Sequence, residues 1–397
     1  MLINSKKRVI KIAILSDEYL PYGTRVHAKM LHELALKLRK DGHNVFVITP
    51  GTYKQPKRLK IDTLDQIEVW RFRTPPIRGV GLLRRGLTEI LLSYRAWLSI
   101  RHKLKEQKFD LCINYSPTIF FAGLAYILSK QGTCIYLILR DFFPQWMIDQ
   151  GRIRAKSPIG IFFRLVEKSN YRTSSFISLQ SPKNKFLFDK LNPFYSGEKN
   201  ILYNWVSPTI IDTNEINNVD DILASCEGKI IFFYGGNMGF AQDMPNLIRL
   251  VRNMSQRAEA HFLFIGDGDQ RSLVQKAAAT LPNLTYYSSI PQYEFQMILK
   301  RVDIGLFSLS ADHTTHNFPG KLLGYMVNGI PILGSINNGN DLKEIIESYG
   351  AGKVFVNGND IALKEAADFF LINPLSRTDM GLQALKLSKD LFSVETA

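Results

Sequence analysis

The apolar run from Ile230 to Tyr234 leads straight into Gly235-Gly236-Asn237-Met238-Gly239 and then into a helical stretch. A strand ending in glycines before a helix start places backbone N–H groups where an anion can meet them, which is the geometry of a diphosphate cradle. The plainer reading is a tight turn required only for packing. A dinucleotide site, with Asp267 and Asp269 as ribose acids after the next strand, conflicts with the glycine spacing. Further along, Phe318-Pro319-Gly320-Lys321 opens another helix, offering amides and one ammonium to a phosphate pair; a buried loop with a solvated lysine is the alternative. Near the N-terminus, Ser16-Asp17-Glu18-Tyr19-Leu20-Pro21-Tyr22-Gly23-Thr24-Arg25 also ends at a helix start. There Arg25 opposes the helix dipole unless an anion compensates it, so the segment reads as a phosphate or acceptor site as well as a Thr24-capped turn.

Asp267-Gly268-Asp269 has the two acids of a metal-holding motif, but it follows the second strand of a helix-covered sheet and reads better as a glycine turn. The sparse histidines show no paired ligand spacing, and no metal or other cofactor is expected.

These motifs need strands and helices to position them. In the first half, β-branched runs at Val9–Leu15, Asn44–Thr49, Ile67–Phe72, Asp110–Tyr115, Thr133–Leu139 and Ser175–Gln180 alternate with helical stretches, which argues for a parallel sheet covered on both faces. Met30, Leu31, Leu34, Ala35 and Leu38 recur at helical spacing, and Asp41-Gly42 ends that helix. The pattern restarts at Lys229–Tyr234, His261–Ile265, Leu284–Tyr287, Val302–Phe307, Ile330–Gly334 and Lys353–Val356. The polar, proline-containing stretch from Asn192 to Asp221 reads as the linker. The expectation is an α/β protein with an N-terminal Rossmann-like domain (1–205), a C-terminal Rossmann-like domain (206–375) and a terminal helix (376–397) packing back toward the first domain.

The 397 residues suffice for two domains, and 45% hydrophobic with 22% charged residues is a globular balance. Three scattered cysteines form neither a disulfide framework nor a zinc spacing and fit a reducing cytosol. The longest apolar run, Ile119 to Leu128, is too short to cross a bilayer, and no signal-peptide core is visible. A net charge of +14 calls for an anionic partner. From Lys54 to Lys108 there are fourteen Lys or Arg against five Asp or Glu, so much of the excess lies on one segment. Within it Leu82, Leu83, Arg84, Arg85 and Trp97 mix cations with apolar groups, which suits an anionic membrane surface as well as a packed helix with a solvated face. Nucleic acid is not expected as a partner, because no recognition helix or aromatic sheet motif is present.

Taken in order, several segments resemble the retaining glycosyltransferase family 4. They are Pro21 and Gly23, Leu34-Ala35, Gly42-His43-Asn44-Val45, Ser181-Pro182, Gly266-Asp267-Gly268 and Lys321-Leu322-Leu323-Gly324-Tyr325-Met326 with Gly329-Ile330-Pro331. The likeness covers nearly the whole chain and implies the GT-B fold, two Rossmann-like domains facing across a donor cleft. Leu139-Arg140-Asp141-Phe142-Phe143-Pro144 and Gly236 to Asp243 look like bacterial amino-sugar transferases of O-antigen and capsule assembly. The stretch from Asn317 to Leu342 looks most like N-acetyl-L-fucosaminyl transferases. The resemblance thus implies a UDP-linked N-acetyl-L-fucosamine donor, a polyprenyl-diphosphate-linked N-acetylglucosamine acceptor and a place on the inner face of the bacterial plasma membrane.

The chain departs from the family where a pair of glutamates with seven residues between them would fall at His316 and Gly324, and basic residues that grip the diphosphate are replaced by Asn237 and Gln242. The donor contacts expected are therefore Gly235, Gly236, Asn237, Gln242, Gly266, Asp267, Tyr287, Ser288, Phe318, Pro319, Gly320, Lys321 and Leu322. Acceptor contacts are expected at Gly23, Thr24, Arg25 and Arg140. For catalysis, Lys321 and amides near Gly236 and Gly320 would stabilise the departing diphosphate, Asp141 would lie near the sugar or acceptor hydroxyl, and His316 would touch the sugar or act as base if transfer inverts. A GT-B sugar-nucleotide epimerase is the competing enzyme class.

Overall fold

All twelve apolar runs become strands in a computed structural model, in two separate sheets. The structure describes residues 8–23, 26–77, 81–116, 118–149, 151, 153–206, 218–312 and 318–397. Two units result, Met1–Tyr203 and Asn204–Ala397.

The first unit carries β1 (Lys11–Leu15), β2 (Asn44–Pro50), β3 (Leu59–Leu64), β4 (Ile67–Phe72), β5 (Leu111–Tyr115), β6 (Cys134–Leu139), β7 (Phe176–Leu179) and β8 (Glu198–Ile201). They lie in the order β3-β4-β2-β1-β5-β6-β7-β8, parallel except for the β3–β4 pair. The two edge strands, β3 and β8, are additions to the sequence reading. In β3 the polar residues Lys60 and Asp62 interrupt the apolar signal, and the hairpin turn uses Asp65 and Gln66 at φ 46° and 63°, a left-handed pair without the glycine that usually marks such turns. Strand β8 lies inside the stretch expected as linker; its sequence EKNI has little apolar content, yet it pairs in parallel with β7.

The second unit carries β9 (Ile230–Gly235), β10 (Ala260–Ile265), β11 (Leu284–Tyr287), β12 (Ile304–Ser308), β13 (Ile332–Ile336) and β14 (Gly352–Val356) in the order β11-β10-β9-β12-β13-β14. Strand β10 is buried along its whole length, as a parallel strand with both faces covered must be. The chain winds outward from β9 through β10 to β11, then returns to β9's other side with β12. In such a sheet the reversal opens a crevice beyond the carboxyl ends of the two central strands. The helix Pro374–Leu391 packs along the helix Gly320–Val327 of this unit, with Gly381 close against Gly329.

Glycines let the loops beyond β9 and β10 cross at backbone distance. A Cβ on Gly266 (φ 154°) would stand 1.9 Å from the Gly236 carbonyl oxygen, and one on Gly268 (φ 154°) would stand 2.6 Å from the Met238 carbonyl. Substituting Gly266→Ala should therefore destabilise the protein by about 3 kcal/mol. Gly81→Ala, where a Cβ meets nothing within 4 Å, should change stability by less than about 0.5 kcal/mol. Urea denaturation of both variants checks this, and equal midpoints would contradict the crossing.

Candidate active site

The turn after β9 keeps most of its own amides. Gly235 donates to the Tyr325 hydroxyl at 3.1 Å, Gly236 to the Ile265 carbonyl at 2.9 Å, Met238 to the Asp267 carbonyl at 2.8 Å and Gly239 to Gln242 Oε1 at 3.1 Å. This corrects the expectation that amides around Gly236 face a ligand: they are consumed in joining β9 to β10 and in closing the turn. The Asn237 amide is the one left without an acceptor among the described residues. Gln242 Oε1 also accepts from Asn237 Nδ2 at 2.8 Å, so these two side chains rigidify the turn. Phe240, unremarked in the sequence, stands 71% exposed beside it.

Lys321 is brought to this turn. It sits in the first turn of the helix Gly320–Val327, which follows β12 across the chain reversal. Its Cε passes 3.8 Å from where a Cβ on Gly236 would stand, and its Nζ lies 3.3 Å from the centre of the Tyr234 ring. That nitrogen is buried and has no hydrogen-bond acceptor among the described residues. Burial drives its pKa well below the ordinary lysine value. No side chain caps the helix start, so its first amides are left without an intrahelical or side-chain acceptor.

Tyr325 holds the helix in place. Its buried hydroxyl accepts from Gly235 and donates toward the Leu306 carbonyl (3.1 Å) or the Phe233 carbonyl (3.3 Å), tying the helix to both strands that flank the reversal. Gly305 makes room for its ring, which a Cβ there would meet at 2.4 Å. Tyr325 carries no obvious sequence signal beyond an aromatic inside an apolar helix.

Other expected donor contacts are placed differently. Leu322 is fully buried in the core, and Phe318 is 9% exposed and packs on Phe392 with ring centres 4.6 Å apart, so both are structural. Pro319 occupies the N-cap position without a capping hydrogen bond, while Gly320 is open, with nothing within 4 Å of an added Cβ. Gly266 is occupied by its contact with Gly236. Asp267 accepts from the Ser289 amide at 2.9 Å and from Arg271 at 3.1 Å, and those partners hold its carboxyl below the usual carboxylate range. It staples the loop after β11 in place of a ribose or a metal. Tyr287 reaches the Asp221 carbonyl at 3.4 Å, and Ser288 is exposed at the end of β11. His316 lies outside the described residues, as do Thr24 and Arg25.

In the first unit the winding reverses between β1 and β5, and a polar cluster missed in the sequence gathers there. His27 stacks on Tyr115, with ring centres 5.3 Å apart, and its Nε2 lies 3.2 Å from Asp17 Oδ1. Both are nearly buried, and burial pushes the Tyr115 phenol up to about 12. The signal available was His27 one residue into a helix that follows a strand-end acid. Gly23 is required by packing: a Cβ there would meet Glu18 and Ala28 within 3 Å. Arg140, expected at the acceptor, is 7% exposed and donates to the backbone carbonyls of Leu202 and Tyr203, anchoring the exit from β8. Asp141 follows it and is exposed.

Of the residues assigned to a membrane surface, Trp97 is half-buried: it packs on the edge of the first unit's core and also meets the exposed Tyr94 ring, with the Arg101 guanidinium over its own ring at 5.7 Å. Arg85 pairs with Glu89 at 3.0 Å, and Arg84 is exposed. The side chains of Leu82 and Leu83 lie outside the described residues.

Comparison with known proteins places both units. Residues 27–170 match the family model described as Glycosyltransferase Family 4, and residues 215–387 match Glycosyl transferases group 1. A probable glycosyltransferase WbjE of Pseudomonas aeruginosa is 23% identical over 347 residues, covering 84% of this chain and 82% of that protein. Among solved structures, WaaG, a glycosyltransferase involved in lipopolysaccharide biosynthesis, superposes with a TM-score of 0.63 at 16% identity, covering 96% of this chain and 97% of that one. Anabaena HepE in complex with UDP-glucose gives 0.62 at 12% identity, covering 98% and 96%.

An unpaired buried ammonium costs stability. Because the folded chain holds Lys321's proton less tightly than the unfolded one, stability should rise with pH between the depressed pKa and the unfolded value of about 10.4. Lys321→Met should stabilise the free protein by roughly 1–3 kcal/mol at neutral pH, and the gain should shrink as pH approaches that unfolded value. Denaturation of both forms at several pH values tests this; a variant that is less stable throughout contradicts it.

Proposed function

We propose that this chain, which carries the two domains of a GT-B glycosyltransferase, transfers a sugar from a UDP-sugar to a lipid-linked acceptor in bacterial surface-polysaccharide assembly. The observation that carries the donor half is Lys321: a buried ammonium without a counter-anion among the described residues, at the crevice of a parallel sheet, beside an uncapped helix start. A diphosphate supplies the missing charge. Lys321 then donates to a phosphate oxygen, with the amides of Asn237, Gly320 and Lys321 meeting the others.

In the reaction the C1–O bond to the diphosphate breaks, its electron pair leaving with UDP, while the acceptor oxygen bonds C1 and gives up its proton. Negative charge grows on the leaving diphosphate as the bond stretches, and a preorganised ammonium in a dry site stabilises that charge. In this reading the Lys321 ammonium and the amide dipoles are the groups that stabilise the phosphates, and no metal is assigned at the donor. The exposed Asp141 of the first unit is then the candidate group for the acceptor hydroxyl's proton, with the Asp17–His27 pair of the same unit as the alternative.

UDP as carrier is supported by HepE, a structural neighbour solved with UDP-glucose. A lipopolysaccharide role is supported by WaaG. N-acetyl-L-fucosamine as the sugar, and N-acetylglucosamine on a polyprenyl diphosphate as the acceptor, rest on the likeness of residues Asn317 to Leu342 and on the Arg140-Asp141-Phe142 segment. Such an acceptor places the enzyme peripherally on the inner face of the plasma membrane.

Mass spectrometry of reactions with a panel of UDP-sugars and lipid-linked N-acetylglucosamine should detect one disaccharide product. Lys321→Met should lower turnover at saturating donor by about 10²–10³-fold. Conversion of a UDP-sugar without acceptor would instead identify an epimerase, and unchanged turnover in the variant would remove Lys321 from the chemistry.

A further inference from the structure

The two units differ sharply in charge. Residues 1–203 hold thirty-five Lys or Arg against fifteen Asp or Glu, a net +20, whereas residues 204–397 hold fifteen against twenty-one, a net −6. The whole cationic excess therefore belongs to the first unit, and a substantial part of it gathers on one helical face.

That face is built by two helices packed side by side, Ala122–Lys130 and Pro158–Thr173. Their inner sides are ordinary: Leu124, Ala125 and Leu128 are buried, and Phe163 and Val166 pack on the same core. The outer side inverts the usual pattern of a surface helix. Ile161 and Leu165, one turn apart, are 50% and 63% exposed, and Phe162 and Tyr126 are exposed beside them. Ser157 caps the longer helix by accepting from the Gly160 amide at 3.2 Å, and Pro158 opens it, so this apolar stripe sits on a well-started helix.

Cations border the stripe. Tyr126, Lys130, Leu165, Lys168 and Arg172 line one shallow groove between the helices. Lys130 lies over the Tyr126 ring at 5.2 Å, while Lys168 and Arg172 both lie over Phe194, at 4.6 and 5.4 Å. None of the three pairs with a carboxylate among the described residues. By contrast Arg164, on the same helix, is neutralised by Glu167 at 2.9 Å.

We infer that this face docks on an anionic phospholipid bilayer, with Ile161, Phe162 and Leu165 entering the headgroup–acyl boundary and Lys130, Lys168 and Arg172 meeting lipid phosphates. Exposed aliphatic residues ringed by unpaired cations on long stems are what an interfacial helix requires. A nucleic-acid surface would use the cations but give the outward Ile161 and Leu165 nothing to contact. The inference stands on this surface alone and holds whichever sugar the enzyme moves. It places the contact on these two helices, a different surface from the helix that carries Trp97.

The test is co-sedimentation of the full chain with phosphatidylcholine vesicles and with vesicles containing phosphatidylglycerol, at low and high salt. Wild-type protein should partition onto the anionic vesicles, more weakly as salt rises, and little onto the neutral ones. Lys130→Ala/Lys168→Ala/Arg172→Ala should weaken partitioning by about a hundredfold, at about fivefold for each cation near the surface. Ile161→Ser/Leu165→Ser should weaken it while leaving the thermal melt unchanged, since both side chains are exposed. Absence of wild-type partitioning, or equal partitioning of both variants and wild type, overturns the assignment. So does a concentration-dependent dimer abolished by the Ile161→Ser/Leu165→Ser change, which would make the face a subunit contact.

Discussion

The second unit turns on one unfinished interaction, the ammonium of Lys321 held against the face of Tyr234 with no anion beside it among the described residues. A cation over an aromatic ring gains about 0.5–2 kcal/mol. Taking an ammonium out of water costs several kcal/mol. The ring cannot offset that cost, so the fold retains an electrostatic deficit that a bound diphosphate would remove. A lysine free to move to solvent would carry no such deficit and would be a weaker electrophile for a leaving group.

Keeping the deficit requires rigidity. Tyr325 fixes the helix that carries Lys321 to the two strands flanking the chain reversal, and Gly305 and Gly235 provide the space and the amide that this needs. The turn after β9 is fixed in its own way, by the close crossing of Gly236 with Gly266 and by the Asn237–Gln242 pair. Most main-chain nitrogens of the glycine turn therefore serve the architecture, and the charge proposed to meet the diphosphate comes from the neighbouring helix start.

Alternating apolar runs made both sheets legible, because fully buried parallel strands leave a strong hydrophobic signal. The edge strands β3 and β8 did not, since a half-solvated edge tolerates Lys60, Asp62, Glu198 and Asn200. The glycine turn at Gly236 and the helix start at Lys321 were legible from residue type and place, and the structure brings them together, with Gly236 serving the turn itself. Asp267, Leu322 and Phe318 were misread because a motif near a ligand site looks the same whether its side chains face the ligand or the core. The Asp17–His27–Tyr115 cluster escaped notice because its members are separated in sequence and meet only when β1 and β5 lie side by side.

The account depends on Lys321 regaining a full positive charge when a diphosphate arrives. Carbon-13 NMR of labelled lysine, with Lys321 assigned by its loss in Lys321→Met, reports the pKa of this one ammonium with and without UDP. The account predicts a pKa well below the ordinary lysine range in the free protein that rises on UDP addition. An ordinary value in the free protein, or one that UDP leaves unmoved, would contradict it.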